Sequence, residues 1–421
     1  MALPARTING PGTDPGNDPE QRSRTMKEAV LRVLGTPYRA FFLAAGIYAV
    51  VSLGVWVAWL TGGGAMEMPF AAAPQTWHAH ELIFGYASAA VGGFLLTAVP
   101  NWTGGKGVAQ LYVGGALVLW LLGRAAVWCS AFLPAGVVAL ADLAFMPLLG
   151  MQIALMLIKR PKPQNVAFLV FLSLAWAGNL MVHLEWMGWT GDTAGTGLRV
   201  GLLALCLMIA VLGGRVTPAF TRNAMKRSGA PEAAWPKSRR VVDVGAILLL
   251  AFSIVALILG APAQVTSALA LGSGAAQLVR IGFWRPLWVL RQPILWALHL
   301  GMGLLGAGLM LWGASGLGWG DEIAALHVLG IGAVGGMTLA VMSRAILGHT
   351  GRALAAPGPV ALAYGLIAVA AGLRWMAGAF GGEAYLMLTL LSGGLWMLAF
   401  GLYVLALWPA FTGPRLTAQE G

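Results

Sequence analysis

The chain has 421 residues, of which 58% are hydrophobic and 10% are charged. A soluble domain carries about 25% charged residues, so these charges cannot cover a water-facing surface. The net charge of +11 would suggest a nucleic-acid partner in a soluble protein. Here the basic residues sit in gaps between apolar runs, which is the topology signal of a membrane protein, and no nucleic-acid role is expected.

The first 36 residues are polar and lack a signal-peptide apolar core, so a disordered cytoplasmic tail is expected over 1–36. Apolar runs long enough to cross a bilayer follow near 37–60, 78–99, 108–131, 133–158, 166–189, 198–220, 241–260, 264–283, 290–314, 323–347, 358–380 and 384–409. They predict an all-α polytopic bundle of about twelve transmembrane helices within a membrane domain 37–409, with a tail at 410–421. The even-numbered gaps are basic, as at Lys106, at Lys159, Arg160 and Lys162, and at Arg285 and Arg291. The stretch 215–240, with seven Lys or Arg, reads as a cytoplasmic loop. The odd gaps carry Glu67, Glu185, Asp192, Asp321, Glu322 and Glu383, with Arg199 the one basic exception. By the positive-inside rule both termini are cytoplasmic, and in a bacterium the membrane is the inner one.

Two internal echoes stand out. Gly92-Gly93, Gly213-Gly214 and Gly335-Gly336 recur at nearly equal spacing, which reads either as three four-helix repeats or as chance among 59 glycines. Helix 2 opens near His80 and closes at Thr103-Gly104, and helix 10 opens near His327 and closes at Thr350-Gly351. Each is followed by a helix with one intramembrane arginine, Arg124 and Arg374.

Ionisable groups inside a bilayer are costly and mark functional candidates. His78, His80, His183 and His327 fall toward the outer side, His299 nearer mid-membrane, and His349 at the cytoplasmic end. Imidazoles on facing helices could clamp a haem or hold copper, and Arg124 and Arg374 could neutralise propionates. Any one of these residues could equally bond only a neighbouring carbonyl or acid. His78 and His80, two apart, point to different sides of a helix. Glu81 could orient an imidazole through its second nitrogen. Asp142 could be a proton relay, a helix-to-helix bond or an ion site. Arg344, His349 and Arg352 form a cytoplasmic-side cluster suited to a partner contact or a capping network. Cys129 and Cys206 make no CxxC pair. No P-loop or zinc-protease motif is present.

Several stretches resemble the NnrS family of bacterial membrane proteins. They are Pro37-Tyr38-Arg39-Ala40-Phe41-Phe42, Trp77-His78-Ala79-His80-Glu81 running on to Thr103-Gly104, Trp120 to Arg124, and Met342-Ser343-Arg344 with Gly348-His349-Thr350-Gly351-Arg352. The resemblance implies a haem- and copper-containing protein of the nitric oxide response, linked to denitrification and resistance to nitrosative stress. It implies haem of b type, nitric oxide or a related small molecule as partner, and an electron donor or denitrification proteins nearby. It brings no ligand assignment. The layout also resembles the large subunit of haem-copper oxidases, in which helices 2 and 10 supply one axial pair. On that layout His80 and His327 are the expected axial ligands, with His78, His183 and His299 left for copper or a second haem. The chain lacks the adjacent His-His after helix 6 that oxygen reduction requires. Haem-dependent nitric oxide redox chemistry, sensing, secondary transport of a metal complex or small solute, and assembly of a denitrification complex stay open.

Overall fold

A computed structural model describes residues 19–159 and 163–417. These form thirteen helices and no strand: α1 (Pro19–Leu34), α2 (Pro37–Thr61), α3 (Pro74–Thr103), α4 (Gln110–Trp128), α5 (Ala135–Lys159), α6 (Pro163–Trp186), α7 (Ala194–Arg227), α8 (Arg240–Ile258), α9 (Ala263–Gly282), α10 (Pro293–Ser315), α11 (Glu322–His349), α12 (Gly358–Phe380) and α13 (Ala384–Thr412). Eleven are long and apolar enough to cross a membrane. The twelfth membrane-length helix, α9, is more polar because it carries Ser273, Gln277 and Arg280, all buried against its neighbours. Arg280 donates to Asp243 (2.8 Å), to Gln277 (2.6 Å) and to the Ala210 carbonyl (3.1 Å), so its charge is spent inside the bundle.

The helices alternate in direction, and their outer faces are apolar. Leu122, Leu140, Val170, Phe252, Leu362 and Leu405 are exposed, as side chains facing hydrocarbon should be. Helix α13 packs on α2 and closes the ring. Inside it, α7 is the most enclosed span, 83% buried against 28% for α8. α3 (67%) and α11 (61%) come next among the spans that run parallel to it. These three are the second members of α2–α5, α6–α9 and α10–α13, and each carries one of the three Gly-Gly pairs. A Cβ on Gly93 would sit 2.8 Å from the Phe42 ring, and one on Gly213 or Gly335 would collide with Met302 Sδ or the Trp396 ring. The pairs mark close packing at the centre of each group.

Two stretches depart from the sequence expectation. Residues 1–18 of the expected disordered tail lie outside the described residues, but 19–34 form helix α1. Glu28 and Arg32 pair one turn apart (2.6 Å), and Arg32 reaches the Thr412 carbonyl (3.4 Å). The expected loop 215–240 begins as helix, because α7 continues to Arg227. At 34 residues α7 is about 51 Å long, well beyond a ~30 Å hydrocarbon core, so its basic end emerges from the apolar layer without unwinding. Arg160, Lys162 and residues 418–421 are outside the described residues.

Both ends of the described chain lie on one face, where Arg39 donates to the Phe411 (2.9 Å) and Gly413 (2.6 Å) carbonyls. This is termed the terminal face, and the opposite one the distal face. The exception Arg199 is distal and is neutralised by a two-pronged pair with Glu322 (2.7 and 2.6 Å).

Candidate functional site

Helix α3 enters from the distal face as an α-helix, Pro74–His80, and then widens into a π segment, Glu81–Tyr86. Such segments leave backbone groups without their usual partners and recur at functional sites. The Gly85 carbonyl is taken up by Trp120 Nε1 (3.0 Å) and Ser88 Oγ (2.9 Å). Helix α11 repeats the device: Glu322–His327 is α-helical and Val328–Gly335 is π. A histidine thus stands immediately before each π segment, His80 in α3 and His327 in α11.

Helix α5 is interrupted between Leu143 and Phe145. The cause is Pro147, which has no N–H to give the Leu143 carbonyl and crowds it. Trp176 Nε1 donates to that carbonyl instead (3.1 Å). The break leaves Asp142 in the last turn of the first half, pointing inward.

These elements assemble a buried polar centre near the distal face. Asp142 is its hub. Asn179 Nδ2 donates to Asp142 Oδ2 (2.8 Å), His183 Nε2 meets the same oxygen (2.8 Å), and His80 Nε2 lies 3.2 Å from it. Arg124 pairs with Asp142 Oδ1 and with Glu81 Oε1 (2.6 Å). Glu81 Oε1 also meets His80 Nδ1 (2.8 Å), while Oε2 accepts from Tyr48 and from Trp128 Nε1 (3.1 Å). His80 and Glu81 have no exposed surface, and Asp142 and His183 have 4% and 1%. One ligand atom from each of His80, Asp142 and His183 falls within 4.8 Å of the other two, the compactness a metal ion needs.

The donor and acceptor count supports a cation there. Both nitrogens of His80 face oxygens, Glu81 Oε1 on one side and Asn179 Oδ1 (2.8 Å) with Asp142 on the other. A neutral imidazole has a single N–H. The second nitrogen therefore calls for a proton or a metal ion. The Glu81–His80 contact is the carboxylate–imidazole arrangement that orients ligating histidines.

A second constellation lies beside the first. His78 and His327 face each other across α3 and α11, with ring centroids 6.4 Å apart and planes 17° from parallel. His78 also stacks on Trp56 (4.7 Å). His327 Nδ1 donates to the Ile323 carbonyl (2.7 Å), which leaves Nε2 available. Nδ1 of His78 and Nη1 of Arg374 are enclosed without a hydrogen-bond partner. Two imidazoles, an enclosed ring nitrogen without a partner and a guanidinium nearby are donor types that suit a haem. A haem there would be held by His78 and His327, with Arg374 to neutralise a propionate.

This changes the expected pairing. His80 does not join His327; His80 joins His183, and His78 is the histidine opposite His327. His299 joins neither cluster. Its two nitrogens face the Leu295 (3.1 Å) and Trp284 (3.2 Å) carbonyls, which ties α10 to the loop before it. Arg124 serves the Asp142 centre rather than a propionate. At the terminal face Arg344 lies over the Phe220 ring (4.0 Å), His349 stacks on Tyr38 (5.0 Å) and Arg352 donates to the Pro409 carbonyl (2.8 Å). These contacts join helix ends and assemble no ligand set. Sequence reasoning missed Asn179, Tyr48, Trp128 and Trp56. Asn179 had a signal, since it stands one helical turn before His183 inside an apolar run.

These features define a polytopic α-helical membrane protein with a buried, cofactor-competent layer of histidines at one end. The chain belongs to the NnrS family, whose sequence model, described as NnrS protein, matches residues 32–415. None of the curated proteins compared with the chain matches it.

Proposed function

We propose that this protein is a haem- and copper-binding protein of the bacterial inner membrane that handles nitric oxide in the response to nitrosative stress, in the setting of denitrification. Copper would be held by His80, Asp142 and His183, and a b-type haem by His78 and His327 with Arg374. The observation that carries this reading is the division of the distal histidines into two pairs, each beside an arginine from the following helix. A haem held by both imidazoles would supply one-electron redox chemistry, and nitric oxide could reach its iron only if one of the two histidines let go. The chain's own residues hold the imidazoles in place, exclude water and neutralise charge. Family membership supports the nitric oxide setting. The basic terminal face supports cytoplasmic termini.

The test is haem and copper quantified per protein in detergent-purified material, with reduced-minus-oxidised spectra, for wild type and four alanine variants. His78→Ala and His327→Ala should abolish the haem spectrum and spare copper. His80→Ala and His183→Ala should remove copper and spare haem. Folded, haem-replete wild-type protein that is colourless would overturn the haem assignment. Full cofactor content in all four variants would overturn both ligand assignments, and histidines that tolerate alanine together with copurifying subunits would favour an assembly factor.

A secondary transporter is the second reading, and the interrupted helix at Asp142 favours it, since transporters use broken helices at ion sites. It requires accumulation of a substrate in proteoliposomes without bound haem.

A further inference from the structure

The three middle helices do not close on one another along their whole length. Between Ala90 of α3, Met208 and Leu212 of α7, and Met337 and Val341 of α11 runs a lumen of about 50 Å³. It begins just below Tyr86, the last residue of the α3 π segment, and extends toward the terminal face as far as Phe94. Seven residues at 1.5 Å each make that about 10 Å. Val91, Ile209 and Leu212 keep 7–8% exposure at mid-bundle because they line this space.

Its wall is carbon and thioether sulfur except for the Thr338 hydroxyl. That hydroxyl is already engaged, with the Val334 (2.7 Å) and Gly335 (3.0 Å) carbonyls and with Tyr86 OH. A buried water typically makes about three hydrogen bonds, and apolar cavities that cannot supply them stay dry and take up xenon or apolar molecules. A lumen of this volume admits a particle of about the size of water. Its wall offers nothing to replace the hydration shell of an ion.

We propose that the lumen is a binding site for small apolar gases, noble-gas atoms and diatomics of low polarity. Such solutes dissolve in the hydrocarbon of the bilayer and need no polar channel. The Tyr86–Thr338 hydrogen bond ties α3 to α11 at its distal end. Beyond that bond lie the two π segments and the histidines that precede them. The site therefore stands on the membrane-buried side of the histidine layer, where a diatomic passing from lipid to those histidines would be held. The gas site is independent of whether either histidine pair carries a cofactor.

The wall supplies its own reporters, the methyl groups of Met208, Met337 and Met342. Protein labelled with 13C at the methionine methyls, in nanodiscs, would be titrated with xenon. Shifts of these three resonances should saturate, whereas the exposed Met151 and Met387 should move only in proportion to xenon dissolved in lipid. Ala90→Phe, or the milder Ala90→Leu where the larger ring prevents folding, should abolish or at least halve the saturable component. Thr338→Val, which removes the hydroxyl and keeps the space, should retain it. The proposal is overturned if the three wild-type resonances show no saturation, if filling at Ala90 leaves more than half of the saturable component, or if Thr338→Val removes it.

Discussion

Asp142 accepts from Asn179 and His183 on one oxygen and pairs with Arg124 on the other, while Glu81 shares the same guanidinium. Two carboxylates against one guanidinium leave this centre one negative charge in excess when both imidazoles are neutral. Uncompensated charge in a dry interior is expensive, so the centre holds either one more proton or a metal cation. Removing one partner of a buried pair costs about 3–5 kcal/mol. Asp142→Ala should lower stability by that order, because it strands part of Arg124. Asp142→Asn keeps the volume and removes the excess charge. It should cost less than the alanine change while reducing metal binding at least ten-fold. Denaturant midpoints in detergent and metal content, measured on both variants, separate the effects. Equal midpoints for the two would show that volume and hydrogen bonding at this position add nothing beyond the charge, which both changes remove.

At the scale of elements, the site depends on two departures from regular helix. The π segment of α3 brings Gly85 against α2 and α4, where a Cβ would sit 2.8 Å from the Tyr48 ring and 2.9 Å from Arg124 Nη1. Gly85→Ala should cost about 1–3 kcal/mol by overpacking and should disturb Glu81 through both neighbours. An unchanged melting temperature would contradict that contact. The break in α5 predicts the opposite balance. Pro147→Ala restores an N–H for the Leu143 carbonyl, so thermal stability should hold or rise while metal affinity falls as Asp142 is drawn back into line. A loss of stability with unchanged metal content would refute this account of the break. These two elements also explain what the sequence could and could not convey. Spans were legible because crossing hydrocarbon demands about twenty apolar residues, and buried charges were legible because they are rare there. Which histidine faces which was not legible. At 3.6 residues per turn, His78 and His80 differ by about 200° around α3, so the pairing turns entirely on helix rotation. The π segments, which hydropathy does not reveal, alter that rotation further along α3 and α11. Likewise the basic residues from Arg215 to Arg227 read as a loop by composition, although a helix that has left the bilayer can carry them.

For the whole molecule the governing feature is the difference between its two faces. The terminal face collects arginine and lysine at the ends of α1, α7, α9 and α11. The distal face carries Glu67, Asp192, Asp321 and Glu383, and its one arginine is cancelled by Glu322. That pair joins the distal ends of α7 and α11 but is partly solvated, with side chains 28% and 39% exposed. A double-mutant cycle over Arg199→Gln and Glu322→Gln should therefore give about 1 kcal/mol or less. Arg199 itself counts against the asymmetry that orients the chain, whether paired or not, and the many cations of the terminal face outweigh it. Orientation is measurable on intact cells. In a background with Cys129→Ser and Cys206→Ser, Trp319→Cys places a thiol on the distal face and Leu287→Cys places one on the terminal face; both positions are well exposed, at 78% and 80%. A membrane-impermeant maleimide should label the first in cells with a permeabilised outer membrane, and the second only after the inner membrane is opened. The reverse pattern would put the histidine layer on the cytoplasmic side. Any cofactor there would then have to exchange electrons with donors in the cytoplasm.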